Sequence, residues 1–277
     1  MRVLLFGSRG FIGSRIQSAL TSQDVQCMGV SRDDFDFLDF DSLDRVLQSF
    51  QPSHIIYAAG INKRFTFLDY HCLSEHKILA KLSSCSAKLI YLSSTLVYGA
   101  PTILPIKEQS ELNPSGEYGF YKLICEDIVR SADNYLILRL SSIISKTKQN
   151  SAFYKIFEHL TGQDSPSTLV MKYSDSSRDY LHVNLCSKII GEIIFTASNC
   201  AINVSASKSL KLSSIFEELR REMCLPCHLT IGFGGKRVED PDSIEINNQL
   251  MIEHCSPSLA TLISTHSPVL SFLYDAN

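Results

Sequence analysis

Short apolar runs alternate with segments of helical periodicity along the first half of the chain. The apolar runs cover residues 2–6, 25–30, 54–58, 88–92 and 135–140. The segments with a helical spacing of apolar residues cover 11–20, 43–50, 77–84 and 118–131. Strands that alternate with helices are typical of a parallel sheet that carries helices on both faces. The pattern therefore predicts an α/β fold of the Rossmann type, built on a doubly wound parallel sheet.

Beyond about residue 145 this alternation becomes irregular. Ser/Thr-rich loops interrupt it, together with prolines at positions 166, 226, 241, 257 and 268. The sequence predicts a dinucleotide-binding Rossmann domain over residues 1–145, whose sheet is completed by later segments around 178–205. Residues 146–277 are expected to form a smaller C-terminal substrate-binding lobe, interleaved with the end of the sheet.

Composition narrows the function classes. The 277 residues are 44% hydrophobic, enough for a sizeable core, and the formal net charge is −3. There is no Lys/Arg-rich run and no apolar run long enough to cross a bilayer, so neither nucleic acid nor a membrane is expected as a partner. The nine cysteines show no metal-ligand spacing. They predict reduced thiols in a cytoplasmic protein and no metal site.

A glycine-rich segment follows the first apolar run. It reads Gly7-Ser8-Arg9-Gly10-Phe11-Ile12-Gly13 and opens the first helical segment. Glycine allows the tight turn and the close approach of a pyrophosphate, which the helix N-terminus then faces with its free N–H groups. Because the segment lies between a strand and a helix, it predicts a dinucleotide site. The expected cofactor contacts are Gly7, Arg9, Gly10, Phe11, Ile12 and Gly13.

The end of the second apolar run bears on the choice of cofactor. Ser31 and Arg32 stand where a chain that selects NAD often has an acidic residue for the ribose 2′-hydroxyl. An arginine with a neighbouring serine suits a 2′-phosphate, and Arg9 is expected to reach the same region. NADP is therefore favoured. The alternative is NAD, with Arg32 as a solvated charge and Asp33 or Asp34 as the ribose ligand.

Further segments, in order along the chain, resemble motifs of one known family. They are Asp36-Phe37-Leu38-Asp39, Tyr57-Ala58-Ala59-Gly60, Leu92-Ser93-Ser94-Thr95-Leu96-Val97-Tyr98-Gly99, Tyr118-Gly119-Phe120-Tyr121-Lys122, Arg139-Leu140-Ser141-Ser142, Arg178-Asp179-Tyr180-Leu181-His182-Val183 and Arg237-Val238-Glu239-Asp240-Pro241. Together with the glycine loop they resemble the extended short-chain dehydrogenase/reductase family. The resemblance implies an NAD(P)-dependent epimerase, dehydratase or reductase of sugar nucleotides.

The resemblance assigns the catalytic roles to Ser94, Tyr118 and Lys122. Tyr118 and Lys122 match a YxxxK motif, and one helical turn of separation places both side chains on the same face. A nearby ammonium favours the phenolate, so Tyr118 is expected to act as general acid to a carbonyl or base to an alcohol. Ser94 is expected to orient the reacting oxygen. Tyr121 is expected to pack in the core or at a dimer face.

Other roles follow from the same resemblance. The expected cofactor contacts beyond the glycine loop are Ser31, Arg32, Asp36, Phe37, Ala58, Ala59, Gly60, Tyr118, Lys122 and Ser142. The expected substrate contacts are Ser94, Thr95, Arg178 and Arg237, with the two arginines binding a diphosphate. Asn62 is added to them from its position after the third apolar run alone. The chain departs from the family at the helix after the third apolar run, where segment 73–76 offers no clear asparagine, and at Ser142, which replaces an asparagine.

The reaction type is less constrained than the fold. A dehydratase of this family carries Asp-Glu after the catalytic hydroxyl residue, where this chain has Thr95 and Leu96, so dehydration is disfavoured. The favoured reading is an NADPH-dependent reductase of a nucleotide-linked 4-keto-(deoxy)sugar, in polysaccharide or glycoside precursor synthesis. The alternative is an NAD-dependent nucleotide-sugar 4-epimerase. A sensor or scaffold that only binds the dinucleotide, and an enzyme acting on a non-nucleotide substrate, remain open.

A homodimer is also expected, since members of this family commonly pair through the YxxxK helix and the helix before it. Apolar faces around residues 79–85 and 124–129 suit a four-helix contact.

Overall fold

The structure is a computed structural model that describes residues 1–34, 36–60, 70–148, 151–162, 166–172, 174–225, 228–235 and 243–275. Its strands are β1 (Arg2–Phe6), β2 (Gln26–Val30), β3 (His54–Tyr57), β4 (Lys88–Ser94), β5 (Tyr135–Leu140), β6 (Ser142–Ile144), β7 (Thr168–Met171), β8 (Arg178–His182), β9 (Cys200–Val204), β10 (Ser209–Leu210) and β11 (Thr230–Phe233). Six of them form a parallel central sheet in the order β2-β1-β3-β4-β5-β9. The predicted α/β Rossmann-type fold is confirmed.

The helices lie between these strands and after them. They are α1 (Gly13–Thr21), α2 (Phe40–Phe50), α3 (Tyr70–Ser83), α4 (Glu117–Val129), α5 (Ala152–Thr161), α6 (Val183–Thr196), α7 (Leu212–Glu222), α8 (Gln249–Glu253), α9 (Pro257–Thr265) and α10 (Pro268–Leu273). Helix α3 begins seven residues before the predicted segment 77–84. Its first two turns carry polar residues, which hid the helical spacing of apolar positions.

The central sheet is buried on both faces, which explains its continuous apolar runs. Successive side chains of a strand point to opposite faces. In β1, Val3 and Leu5 therefore join a core with α1 and α6, whereas Leu4 and Phe6 join a second core with α2, α3 and α4. All four side chains are fully buried.

The strand order reverses direction at β1. The chain passes from β1 outward to β2 and then returns to β3 on the other side of β1. In open α/β sheets, ligands bind at such a reversal, outside the carboxyl ends of the strands. The loops that follow β1 and β3 meet at this point, and these loops carry the glycine-rich segment and Ala58–Gly60.

The second half of the chain contributes to both the central sheet and smaller sheets. Strand β9 pairs with β5 at the edge of the central sheet. Strand β8 instead lies between β10 and β6 in a three-stranded sheet, and β11 pairs with β7. A separate apolar cluster, which includes Phe153, Phe216 and Phe272, joins α5, α7 and α10.

Candidate active site

The glycine-rich loop is shaped for close approach of a ligand. Gly7 has a φ of 81°, and a Cβ there would lie 2.7 Å from the backbone nitrogen of Ala59. A Cβ on Gly13 would lie 2.1 Å from the carbonyl oxygen of Gly7. Only glycine fits these two positions, and this allows the chain to turn tightly from β1 into the N-terminus of α1. This cradle fits the pyrophosphate of a dinucleotide.

A cleft of about 540 Å³ opens beside this loop at the reversal point of the sheet. Ten of the predicted cofactor contacts line it: Gly7, Arg9, Gly10, Ser31, Arg32, Asp36, Phe37, Ala58, Ala59 and Gly60. Six further residues also line it: Asp33, Leu38, Tyr57, Ser74, Glu75 and Ile78. The sequence named Asp33 as the alternative ribose ligand and placed Leu38 and Tyr57 in matched segments, but it did not indicate the three residues of α3. The cleft therefore joins segments from the ends of β1, β2 and β3 with one face of α3.

Phe37 forms part of the apolar wall of this cleft. It is buried and packs edge-on against Phe6, with ring centroids 5.0 Å apart. Asp36 lies next to it and accepts a hydrogen bond from the backbone nitrogen of Leu38 at 3.0 Å. A flat apolar wall beside a small polar group suits a purine ring.

The guanidinium of Arg9, which the sequence predicted to bind a 2′-phosphate, is paired with two carboxylates. Its guanidinium donates to Asp33 at 2.9 Å and to Asp34 at 2.8 Å. Asp34 also accepts from the backbone nitrogen of Ser31 at 2.7 Å and from the Ser31 hydroxyl at 2.9 Å. These hydrogen bonds from Ser31, together with the charge of Arg9, hold the pKa of Asp34 below its usual value.

The charge at this end of the cleft differs from what a 2′-phosphate requires. Two guanidinium groups, Arg9 and Arg32, and two carboxylates, Asp33 and Asp36, line this end of the cleft, and a third carboxylate, Asp34, pairs with Arg9. The sum is one negative charge, and the Ser31 hydroxyl is already engaged by Asp34. A dianionic phosphate placed here would meet like charge.

Tyr118 and Lys122 lie one turn apart near the start of α4. Lys122 is 3% exposed, and its ammonium donates to the hydroxyl of Tyr91 at 2.9 Å and to the carbonyl oxygen of Leu92 at 3.0 Å. The ammonium nitrogen lies 5.8 Å from the ring centroid of Tyr118, which is half-buried. A Cβ built on Gly60 would lie 3.6 Å from the same nitrogen, so Lys122 borders the cleft.

The charge state of Lys122 is set by competing effects. Burial alone acts to lower the pKa of its ammonium, because a charge is costly away from water. Tyr118 and Glu75 act in the opposite direction, and the net pKa is raised. Lys122 is therefore a cation at neutral pH.

Tyr121 has a different environment from Tyr118. It is 3% exposed and stacks on His76, with ring centroids 5.5 Å apart. Burial is the main cause that raises its pKa far above the usual value. A phenol in this state stays neutral, so Tyr121 belongs to the core, as predicted.

Arg139 and Glu126 form a buried ion pair near the carboxyl end of β4. Arg139 donates to both carboxylate oxygens of Glu126, at 3.0 and 2.8 Å. The two side chains are 2% and 0% exposed. Glu126 also accepts from the hydroxyl of Ser93 at 2.6 Å, and Arg139 donates to the hydroxyl of Tyr98 at 2.8 Å. The pair thus fixes β4 and β5 to α4 next to Ser94.

The predicted substrate contacts occupy several positions. Ser94 ends β4, and its hydroxyl accepts from the backbone nitrogen of Leu96 at 3.3 Å, which begins a short 3-10 turn at Thr95. Ser142, which was predicted as a cofactor contact, is exposed at the start of β6. Arg178 is half-buried at the start of β8 and donates to the carbonyl oxygen of Ser177 at 3.0 Å.

Some predicted contacts lie apart from the cleft or beyond the described residues. Asn62 and Arg237 lie outside the described residues. Phe11, Ile12 and Gly13 belong to the glycine loop and the start of α1 rather than to the cleft lining.

Glu75 is the main site residue that the sequence analysis missed. It is 3% exposed, lines the cleft and accepts a hydrogen bond from Tyr91 at 3.4 Å. A signal was present: Glu75 shares a helical face with the buried Ile78, Leu79 and Leu82, three, four and seven positions later. A carboxylate on a buried stripe needs a polar partner, and here that partner lies at the site.

Comparison with known proteins fits this geometry. The model of the NAD dependent epimerase/dehydratase family matches residues 3–190. The chain belongs to this family. A UDP-glucose 4-epimerase from Azospirillum brasilense is 30% identical over 156 residues, which cover 47% of this chain and 44% of that protein. A putative UDP-glucose 4-epimerase from Methanocaldococcus jannaschii is 23% identical over 270 residues, covering 86% and 85%.

Solved structures show the same fold over the full chain. A UDP-glucuronic acid 4-epimerase mutant from Bacillus cereus, in complex with a UDP-sugar and NAD, has a TM-score of 0.77 at 18% identity. The match covers 99% of this chain and 100% of that one. The enzyme WbmG from Bordetella bronchiseptica, in complex with NAD and UDP, has a TM-score of 0.76 at 18% identity, with 99% and 94% covered.

Two further features are absent from the described part of the chain. None of its helices is long and apolar enough to cross a membrane. Among these same residues, no group of three or more His, Cys, Asp or Glu side chains is arranged to hold a metal ion.

Proposed function

We propose that this protein is an NAD-dependent 4-epimerase of a UDP-linked sugar. The observation that carries the proposal is the negative charge at the ribose end of the cleft, where Arg9 and Ser31 are held by Asp33 and Asp34. It favours NAD over NADP, contrary to our expectation from the sequence. The relatives named as UDP-glucose 4-epimerases support the reaction. The solved structures in complex with NAD support the cofactor.

The residues of this chain suit each part of that reaction. The glycine loop and Ala58–Gly60 would hold NAD in the cleft, where it would supply reversible hydride exchange at C4 of the sugar. Tyr118 takes the proton of the C4 hydroxyl and later gives it back, and the Lys122 ammonium lies 5.8 Å from the centre of its ring. The Ser94 hydroxyl orients the sugar oxygen. Leu96 has no acid or base to offer, so water is not expelled from the sugar.

The first test separates epimerisation from reduction. The purified protein is incubated with UDP-glucose, UDP-N-acetylglucosamine or UDP-glucuronic acid and a catalytic amount of NAD, and the C4 epimers are resolved by chromatography. We expect one pair to interconvert without net formation of NADH. Stoichiometric consumption of NADPH with a nucleotide-linked 4-keto sugar would instead establish the reductase.

The same assay examines the two remaining classes. NAD binding without turnover of any nucleotide sugar would support a sensor or scaffold. Turnover of a free sugar without binding of UDP would indicate a non-nucleotide substrate and another role for Arg178 and Arg237.

Cofactor preference gives a second prediction. We expect NADH to bind at least about ten-fold more tightly than NADPH, because a 2′-phosphate would meet the carboxylates around Arg9. Asp33→Asn removes one of them and is expected to strengthen NADPH binding about three- to five-fold, with little change for NADH. Fluorescence titration of both cofactors measures the two dissociation constants.

The matched control for this substitution is Asp24→Asn. Asp24 is exposed in the turn between α1 and β2, at the amino end of β2, whereas Asp33 follows its carboxyl end. Its φ of 56° is one that asparagine accepts. It should leave both dissociation constants unchanged. Tighter binding of NADPH by the unmodified protein would contradict the proposal of NAD and restore the reductase.

We also propose a homodimer that pairs through α3 and α4. Phe120 is 49% exposed on α4, and Ile124 and Ile128 are partly exposed on the same helix. Phe120→Glu places a charge on this face and is expected to convert the dimer into a monomer. Sedimentation velocity at micromolar concentration measures the change.

The control for the dimer test is Val170→Glu, since Val170 is 71% exposed on β7. This variant should sediment as the unmodified protein does. A monomer in the unmodified protein at the same concentration would contradict the proposal.

Seven cysteines of the described residues are free thiols, which supports a further proposal that the protein works in the reducing cytoplasm.

A further inference from the structure

Glu75 connects the wall of the dinucleotide cleft to the buried lysine of the site. Its carboxylate lies 3.4 Å from the hydroxyl of Tyr91, which accepts a hydrogen bond from the ammonium of Lys122 at 2.9 Å. The distance of 3.4 Å exceeds the usual value of about 2.7 Å for a bond between two oxygens. The coupling between Glu75 and Lys122 is therefore mainly electrostatic.

Several titratable groups face Lys122 from the elements packed against it. They are Tyr91 on β4, Glu75 on α3, and Tyr118, Tyr121, Cys125 and Glu126 on α4. Burial raises the pKa of Tyr91, Tyr121 and Cys125, so these groups are neutral at neutral pH. The two carboxylates therefore supply the permanent negative charge near the Lys122 ammonium. Glu126 is bonded by Arg139 and Arg130, which compensate its charge. Among the described residues, Glu75 is thus the carboxylate whose charge compensates the positive charge of Lys122.

Burial makes this balance necessary. Lys122 and Glu75 are each 3% exposed, and an isolated buried charge is strongly disfavoured. A buried ammonium whose counter-charge is removed gives up its proton more readily. The hydroxyl of Tyr91 alone cannot replace that charge, since it is neutral.

We propose that Glu75 is a positioning residue whose carboxylate, acting through Tyr91, keeps the Lys122 ammonium charged and in place beside Tyr118. This role rests on the proposed function, because it matters only where Tyr118 exchanges a proton with substrate. The same ammonium borders Gly60 at the cleft, so Glu75 also supports the contact of Lys122 with a ribose hydroxyl of the cofactor. Without the Glu75 carboxylate, Lys122 loses its proton at a lower pH. Its roles beside Tyr118 and at the cofactor should therefore weaken at alkaline pH before they weaken at neutral pH.

The test compares Glu75→Gln, which removes the charge, with Glu75→Asp, which retains it. In the unmodified holoenzyme we expect kcat/KM to stay flat up to about pH 10, near the ordinary pKa of lysine. In Glu75→Gln the alkaline decline should begin about one pH unit lower or more, the effect of losing an opposite charge nearby. Glu75→Asp should keep the decline within about half a unit of the unmodified protein.

A control removes a carboxylate that water already screens. Glu117 is exposed at the start of α4, and Glu117→Gln should leave the pH profile unchanged. Thermal melting of each variant at neutral pH reports its stability. If Glu75→Gln and Glu75→Asp lose activity equally at every pH, with no movement of the alkaline limb, Glu75 is only a packing residue and the proposal is overturned.

Binding of NADH provides a readout that does not require turnover. Its dissociation constant is titrated by fluorescence between pH 7 and pH 10.5 for all four proteins. We expect binding by Glu75→Gln to weaken at least about three-fold by pH 10, while the unmodified protein and Glu117→Gln stay constant. If the unmodified protein lacks epimerase activity but this difference appears, the proposed function fails, while the charge balance between Glu75 and Lys122 stands. An NADH dissociation constant for Glu75→Gln that stays constant with pH overturns that role.

Discussion

Tyr118→Phe is expected to reduce kcat for epimerisation about 10²- to 10⁴-fold while NAD binding is retained. The substitution removes the hydroxyl that we propose takes the C4 proton and leaves the aromatic ring in its half-buried position beside Lys122. Because the ring stays, KM for the UDP-sugar should change by less than about five-fold. The effect thus falls on the chemical step, as expected for an interaction made in the transition state.

Initial rates of interconversion of the two epimers, measured with saturating NAD, give kcat for this variant. Tyr135→Phe is a suitable control, because Tyr135 lies at the amino end of β5, whereas the site lies at the carboxyl ends of the strands. Its kcat should match that of the unmodified protein. If Tyr118→Phe retained more than about a tenth of the activity, another group would have to move the proton.

The fold was largely predictable because its main signals are local. Strand β1 and strand β5 were predicted with the bounds that the structure shows, since each is a run of apolar residues buried on both faces. The glycine loop was predictable as well, because close packing of Gly7 and Gly13 leaves no room for a Cβ. The start of α3 was missed, since a helix whose first turns carry polar residues has no apolar stripe there.

The cofactor preference was not predictable from neighbouring residues alone. Arg9 and Arg32 suggested a phosphate site, yet Arg9 bonds to Asp33 and Asp34, which lie 24 and 25 positions later in the chain. Such a pairing depends on how the loops after β1 and β2 pack against each other. Net charge at a site therefore has to be counted in three dimensions, and here the count supports the proposed NAD instead of the NADP expected from the sequence.

The same limit applies to Glu75 and Glu126. Both are acidic residues on helices, where a solvent-exposed position is the usual expectation. The structure buries both, and each balances a buried cation: Lys122 through Tyr91, and Arg139 directly. Their partners come from other elements, so a single-sequence pattern shows the charge but not its compensation.

Loss of the Glu126 carboxylate is expected to destabilise the fold by about 3–5 kcal/mol, because Glu126→Leu leaves the Arg139 guanidinium buried without a counter-charge. The hydroxyl of Ser93 also loses its acceptor on Glu126. The exposed neighbour provides the matched control. Asp127→Asn removes a carboxylate that is 70% exposed and pairs with Arg130, and it should cost less than about 1 kcal/mol.

The double variant Glu126→Leu with Arg139→Met distinguishes an unpaired charge from lost packing. Replacing both members of a buried pair by apolar residues removes the uncompensated charge, so the double variant should be more stable than Glu126→Leu alone. Recovery should be partial, because Tyr98 and Ser93 still lack partners that the pair supplied. Urea unfolding, followed by circular dichroism at a fixed NAD concentration, measures each free energy. A double variant less stable than Glu126→Leu would show that shape at this position, rather than charge, dominates the cost.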